Sequence, residues 1–408
     1  MSWTETTLSD APIEIIDGDR GKNYPTQNEL LDDGHCLFLS ATNVTKDGFA
    51  FEKCQFITEQ KDNALRKGRV RRNDIVLTTR GTLGNVAHYS DAVPFDHVRI
   101  NSGMVTVQTA QDELSPRYLY YYLKSDLFQA QVRALQSGAA QPQLPIRDIK
   151  KIKISYPDTT TQNRIADVVG AYDDLIENNR RRIALLEEAA RLLYREWFVH
   201  FRFPGHEHVK IIDGVPEGWV EGRLSDLGLA ITGKTPSKKV EANFGDDVPF
   251  IKTPDMHGNV FVISTEESLS EQGAKTQSKK TVPIGSIMVS CIGTVGAVAM
   301  NASPAQTNQQ INTVIPKYRH WQFFAFFSLK AIKSRLEAMG GGATMANVNK
   351  TKFESVPILL PSDELILSFH EIVKPQFKLI EKLACKNIEL AKARDLLLPR
   401  LMDGRLEV

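Results

Sequence analysis

The chain has 408 residues, 42% of them hydrophobic and 24% charged, with 50 basic side chains against 49 acidic ones and a formal net charge of +1. At about 150 residues per domain this length predicts two or three domains, and the composition excludes general disorder. Near-neutrality excludes a chain that is basic throughout, so any nucleic-acid surface has to be a local patch.

From the N-terminus, residues 1–10 lack a basic start followed by an apolar run, and no stretch approaches the roughly 20 apolar residues of a bilayer span; a cytoplasmic protein without a membrane anchor is expected. Residues 17–25 (DGDRGKNYP) read as a glycine-rich loop that offers Arg20, Lys22 and Asn23. Residues 37–43 (LFLSATN) predict an apolar strand running into a polar turn. Residues 61–80 then gather seven bases, Lys61, Arg66, Lys67, Arg69, Arg71, Arg72 and Arg80, against two acids, Asp62 and Asp74. Positive charge concentrated in a neutral chain suits neutralisation of backbone phosphates, a solvated charged loop being the ordinary alternative. A polar loop carrying Gln141 and Gln143 leads into a strand ending near residue 157.

Ile165, Val169, Tyr172, Ile176, Asn179, Ile183, Leu186, Ala190, Leu193 and Trp197 step alternately by four and three residues, the spacing of a coiled-coil seam. About 33 residues at 1.5 Å each predict a rod of about 50 Å, suited to a spacer. Asn179 either fixes register or is tolerated near a wet edge. Residues 203–219, rich in Gly, Pro and His, predict a connecting loop, with His206 and His208 solvated. Beyond it, Lys234, Ser237, Lys238 and Lys239 occupy a second glycine-containing loop, and residues 275–280 (KTQSKK) form a second basic stretch with Lys275, Lys279 and Lys280. Thr344, Asn347 and Asn349 follow in another polar loop. The last segment, residues 363–401, predicts a second helix with Leu365, Phe369, Ile372, Leu379, Leu383, Leu390 and Leu397 on its seam, a kink or fresh start at Pro375, and apolar surface on more than one side from Ile380, Ile388 and Leu396.

The chain repeats itself. Residues 136–157 (QSGAAQPQLPIRDIKKIKISYP) align with residues 340–361 (GGGATMANVNKTKFESVPILLP) at an offset of 204. Residues 73–89 align with residues 285–301 at an offset of 212, so that Gly81, Thr82 and Gly84 fall on Gly293, Thr294 and Gly296. Residues 37–43 resemble residues 249–255. The expected architecture is globular body, long helix, globular body, long helix, with antiparallel helices.

Motifs for chemistry fail on inspection. GLAITGKT (228–235) satisfies G-x-x-x-x-G-K-[ST], but Pro236 follows at once and the next run has no apolar face, so a nucleotide-binding loop is rejected. Methyltransferase, nuclease and Ser-His-Asp patterns are lacking. Cys36, Cys54, Cys291 and Cys385 form no C-x-x-C pair, so neither a disulfide framework nor a metal site is expected. What remains is hydrogen-bonding and charged surface capable of reading base edges.

GVPEGW (214–219), SGAAQPQL (137–144) leading to IKKIKISYP (149–157), and LLLPRLMDGRL (396–406) resemble the specificity subunit of type I restriction-modification systems over nearly the whole length. The resemblance implies an α+β fold of two pseudo-repeated α/β target-recognition domains separated by two long helices that form an antiparallel coiled coil. The bounds are 1–157 for the first domain, 158–200 for the central helix, 201–362 for the linker and second domain, and 363–408 for the C-terminal helix. It implies a non-catalytic reader of double-stranded DNA, each domain taking half of an asymmetric bipartite site, with no cofactor of its own. Two methyltransferase subunits, using S-adenosylmethionine on adenine N6, would dock on the helices, and restriction subunits using ATP and magnesium would complete the complex. A rod of about 50 Å corresponds to a spacer of roughly 5 to 9 base pairs. The alternative is a non-enzymatic coiled-coil scaffold that joins two protein-binding modules; a nuclease or nucleotide hydrolase ranks below it.

Overall fold

A computed structural model describes residues 3–136, 142–340 and 347–408; Gln141 and Thr344 lie outside the described residues. The chain divides into two compact units, one formed by residues 1–175 with 390–408 and the other by residues 176–389.

In unit 1 the strands Cys36–Leu39 and Ile75–Thr78 are buried at every position. Such continuous apolar runs form strands covered on both faces. Among the described residues, Ile75–Thr78 lies in a four-stranded sheet between Met104–Thr109 and Val86–His88, with Ile13–Asp17 beyond Met104–Thr109. Cys36–Leu39 runs parallel to Val98–Ile100 in a second sheet edged by Phe56–Ile57 and Arg69–Val70. Helices Pro116–Lys124 and Asp126–Leu135 follow, the first with proline at its opening position, where a missing N–H costs nothing. Thr4–Thr7 pairs antiparallel with Lys153–Tyr156.

Unit 2 repeats this order, with Phe261–Val262 added as a fifth strand beside Val298–Asn301. Ile287–Ser290 lies between Ile311–Pro316 and Val298–Asn301, with Gly228–Thr232 beyond Ile311–Pro316. Val248–Ile251 runs parallel to Gln306–Thr307. Helices Gln322–Ala331 and Lys333–Gly340 follow, and Val220–Arg223 pairs with Pro357–Leu360. The matched glycines share a conformation: Gly81 and Gly84 have φ of 74° and 80°, and Gly293 and Gly296 have 77° and 87°. A side chain at any of the four would be strained, which is why this turn survives in both halves.

Both long helices are single elements of 40 residues, Thr159–Phe198 and Asp363–Met402. On the first, Ile165, Val169, Ile176 and Asn179 are buried, and Tyr172, Ile183, Leu186 and Leu193 are half-buried. The second corrects the sequence expectation twice. Its packed stripe is Ile366, Phe369, Val373, Phe377, Ile380 and Leu383, whereas Ile372 is 48% exposed and Leu379, Leu390 and Leu397 are only half-buried. Phe369 and Leu383 of the expected seam are buried in that stripe, whereas Ile366, Val373 and Ile380 lie one residue beyond its other members, and Phe377 fills the space against the neighbouring aromatics. Nor does the helix restart at Pro375. That residue is exposed within an unbroken helix, and the deeply buried Val373 and Phe377 on either side hold the turn that lacks one N–H.

Each unit takes part of its core from both long helices. In unit 2, Tyr194, Trp197 and Phe198 pack with Phe324, Phe327, Phe369 and Phe377; Phe198 and Phe369 meet edge to face at 5.1 Å. Asn179 donates its amide to Asn387 at 2.9 Å, and Trp197 lies 6.0 Å from Phe369, so the two helix segments of this unit run antiparallel. In unit 1, Ile165 and Val169 pack with Leu398, Leu401 and Met402, and Arg394 pairs with Asp173. Residues 203–219 are more than a connecting loop, since Ile211–Ile212 pairs with Val215–Pro216 and Trp219 stacks on Phe203 at 5.6 Å.

Phe369→Ala is expected to destabilise unit 2 by about 3–5 kcal/mol. Pro375→Ala restores a helix hydrogen bond at an exposed position and is expected to stabilise it by up to about 3 kcal/mol. Urea unfolding of the two variants reads both signs.

Candidate nucleic-acid interface

The two basic segments of unit 1 are brought together by a buried carboxylate. Asp19, 6% exposed, accepts from the Gly21 amide at 2.6 Å and from the Arg66 amide at 2.7 Å. The Gly21 bond is the largest influence on its carboxyl and, with the Arg66 bond, outweighs burial to hold it below the usual range. A side chain at Gly21 would come within 2.9 Å of the Arg66 guanidinium. Asn23 donates to the Ala64 carbonyl at 2.9 Å, and Lys61 donates back to the Asn23 carbonyl and pairs with Glu29. Lys22, Arg66, Lys67, Arg69 and Arg71 remain exposed on the joined loops.

Arg20 extends this surface. It bonds to Asp17 at 3.1 Å and lines a cavity of about 210 Å³ with Arg80 and Gln143, whose backbones form an isolated β-bridge. Unit 2 has the same bridge between Ile292 and Asn347, so the polar loop before each C-terminal strand is anchored alike, although the position of Arg80 carries no base there.

Unit 2 joins its loops with an amide. Gln277, 7% exposed, donates to the Lys234 carbonyl at 2.7 Å and to Gln306 at 2.8 Å. The Lys234 amide donates to the Thr307 carbonyl at 2.9 Å, and Asn243 holds the Ser237 carbonyl at 3.0 Å. Lys234, Ser237, Lys238, Lys239 and Lys279 are exposed, Lys280 is half-buried, and Lys275 pairs with Glu271. The glycine of GLAITGKT serves packing, since a Cβ at Gly233 would lie 2.1 Å from the Asn308 carbonyl oxygen. Gly228–Thr232 is itself a strand, and no α-helix follows until Thr253–Met256, so the stretch has no helix N-terminus to cradle phosphate.

Three candidates serve the fold instead. Arg72 gives its donors to the carbonyls of Ser90, Val93 and Phe95 and lies over the Tyr89 ring at 4.2 Å, which spends it on the 90–96 turn. Asn349 caps the helix Lys350–Glu354 by accepting from the Lys352 amide. Asn23 ties two loops rather than projecting from one.

The sequence reading missed the anchors beneath these loops. Arg99, 3% exposed in the middle of a strand, pairs with Asp62, 1% exposed, and donates to the carbonyls of Asp62, Lys67 and Leu65 at 2.7, 2.7 and 3.1 Å. Arg69 also pairs with Asp62, and His35 lies 3.8 Å away. Burial pushes the Asp62 carboxyl upward, but the hydrogen bond and charge of Arg99 outweigh it and hold it below the ordinary range. One signal was available: a lone arginine flanked by Val98 and Ile100 in a strand. Burial raises the Cys36 thiol, close to Asp62, to about 12 and, in unit 2, the Cys291 thiol to about 11, which disfavours the reactive thiolate. Among the described residues no group of three or more His, Cys, Asp or Glu is placed to hold a metal ion, and no helix is long and apolar enough to cross a membrane.

Asp62→Ala leaves Arg99 a buried unpaired cation and is expected to cost about 3–5 kcal/mol, against about 1–3 kcal/mol for Gln306→Ala, which removes only neutral hydrogen bonds. Because the folded Asp62 carboxyl is depressed, its contribution is complete above the ordinary carboxylate range and disappears as pH falls through the lowered value; the amide pair does not titrate. Urea unfolding between about pH 7 and pH 3, followed in each unit, reads both differences.

The chain matches the Type I restriction modification DNA specificity domain over residues 3–188 and again over residues 216–392. It is 30% identical to the Type I restriction enzyme HindI specificity subunit of Haemophilus influenzae, with 99% of both chains covered. It is 25% identical to the MjaIX specificity subunit of Methanocaldococcus jannaschii over 82% of this chain and 78% of that one. In fold it is similar to the crystal structure of a type I restriction-modification S subunit from M. genitalium, with a TM-score of 0.57 and 17% identity over 98% of this chain and 96% of that one. With the specificity domain matched twice across most of its length, the chain belongs to the type I restriction-modification specificity subunits.

Proposed function

We propose that each unit reads one half of an asymmetric, interrupted site in double-stranded DNA, working in the cytoplasm as the non-catalytic member of a larger complex. The observation that carries this is the duplicated frame, which in each unit ties two base-bearing loops together through a buried side chain while the residues on the loops differ. Similar frames with different exposed side chains suit two different half-sites.

The long helices set the spacer between the half-sites and dock two methyltransferase subunits, which bring S-adenosylmethionine to adenine N6. Restriction subunits, with ATP and magnesium, join in the full complex. Exposed apolar residues recur on the two helices at the repeat offset, Val168 with Ile372 and Leu192 with Leu396, the last being 68% exposed. Repeated bare apolar positions are what two copies of one partner would cover. Nothing in the structure favours the scaffold alternative, which has no use for paired basic loops.

A map of N6-methyladenine in cells with and without the gene tests the reading. One asymmetric, interrupted motif is expected to vanish with the gene, and an unchanged map would count against it. In the assembled complex, Lys238→Ala and Lys239→Ala are each expected to weaken binding about equally across DNA sequences and to reduce the slope of log affinity against log salt by about 1. Salt-independent affinity would contradict phosphate contact.

A further inference from the structure

The buried anchors of the two units occupy one place in the repeated frame and are built from different chemistry. Arg99 stands opposite Phe38 in its parallel strand pair, and Gln306 stands opposite Phe250. Phe38 and Phe250 are 212 positions apart. Thr58 and Ser270, which cap the short helices Glu59–Ala64 and Glu271–Lys275, have the same offset. Arg99 donates to the carbonyl of Asp62, and Gln306 donates to the carbonyl of Ala274 at 2.9 Å, again 212 positions on. Arg99 also holds the Leu65 carbonyl, and the residue 212 beyond Leu65 is Gln277, whose amide donates to Gln306. Both central side chains are buried, Arg99 at 3% and Gln306 at 0% exposure.

In each unit, then, one buried side chain on a strand fixes the end of a short helix and the loop leaving it. That loop presents Arg66 and Lys67 in unit 1 and Ser278 and Lys279 in unit 2. In unit 1 the fixing is ionic, with Asp62 supplying the counter-charge; in unit 2 it is neutral, with Ala274 at the Asp62 position and Gln277 supplying the partner. These positions have to change together. An arginine facing Ala274 would be a buried unpaired cation, and a glutamine facing Asp62 would leave a buried carboxylate with only Arg69, itself half exposed, as its cation. Where unit 1 has Arg69, unit 2 has Thr281, whose hydroxyl accepts from Gln306 at 2.9 Å.

We propose that Arg99 in unit 1 and Gln306 in unit 2 are equivalent positioning residues for the loops that read the two half-sites, so that altering one anchor changes recognition of its own half-site and leaves the other half intact. This rests on the bipartite reading above. The anchor touches no base; it sets where the loop's donors stand, and a displaced donor loses its match to a base edge while its charge still meets phosphate.

The test is the N6-methyladenine map of cells that express the chain with its methyltransferase subunits, the chromosome itself serving as the probe. Arg99→Gln is expected to relax discrimination by about tenfold or more at positions of one half-site, the order of a single base-pair penalty, with the other half read as strictly as before. Gln306→Met, which keeps shape and loses both hydrogen-bonding functions, is expected to relax the opposite half. Adding Asp62→Ala, Leu65→Gln and Arg69→Thr to Arg99→Gln builds the amide anchor in unit 1, with the counterpart of Thr281 included, and is expected to restore strict reading or to impose a new, equally strict half-site. Methylation that falls at all sites with the motif unchanged, or both halves relaxing together, would overturn the inference, since a merely structural role predicts the first. Should Arg99→Gln fail to accumulate, the neutral Gln306→Met decides by the same criterion. If the unaltered chain imprints no gene-dependent motif, the bipartite reading itself falls and the inference with it; a motif that persists unaltered in the variants removes the inference alone.

Discussion

Each unit depends on apolar surface borrowed from both long helices. Unit 2 closes its core only when Tyr194, Trp197 and Phe198 from the first helix meet Phe369 and Phe377 from the second. Unit 1 needs Ile165 and Val169 from the first and Leu398, Leu401 and Met402 from the second. Most of a helix's stability in a protein comes from packing of its apolar face, and burial of that face is what stabilises each long helix. Sheet strands of each unit share that core, among them Ile75 and Leu77 in unit 1 and Ile287 and Val289 in unit 2. The exposed basic loop residues lie outside it and are free to differ.

That separation lets one frame carry two different sets of loop residues. The backbone features held in common are those a frame requires, including the left-handed turns at Gly81 and Gly84 and at Gly293 and Gly296, and the bridges anchoring Gln143 and Asn347. The exposed loop residues differ, as do the buried groups directly beneath them. Variation thus extends one layer inward from the surface, because a loop and the side chain that fixes it have to satisfy each other's donors and acceptors. The ionic anchor is the stiffer solution and the more costly one to disturb; the amide anchor tolerates loss better.

Much of this was legible in the residues. Repeats at offsets of 204 and 212, the first helix seam and the rejection of GLAITGKT all rest on short-range pattern, which a chain displays openly. The second seam was misread because leucines recur beside the packed stripe and Pro375 looks like a boundary, whereas aromatic packing from distant segments decided both matters. Arg72 and Asn23 spend donors on carbonyls and Asn349 accepts from a helix amide, uses that composition does not tell from a group aimed at solvent. The anchors were invisible for a related reason. Arg99 and Asp62 are 37 positions apart, one on a strand and the other on a short helix, and only the folded chain brings them together.

The division of the chain also orders its completion. Residues 176–389 contain all that unit 2 requires, whereas unit 1 gathers its first 175 residues and then waits for residues 390–408, which bring Leu398, Leu401 and Met402 into its core and set Gly404 against Trp3. On a ribosome that makes the chain from its N-terminus, the reader encoded second is the first to have every residue it needs. The reader encoded first stays open at its base until synthesis reaches the last helix. A nascent chain interrupted in that helix would carry one finished reader and one unfinished one, and the unfinished one would expose the apolar floor that the final turns exist to cover.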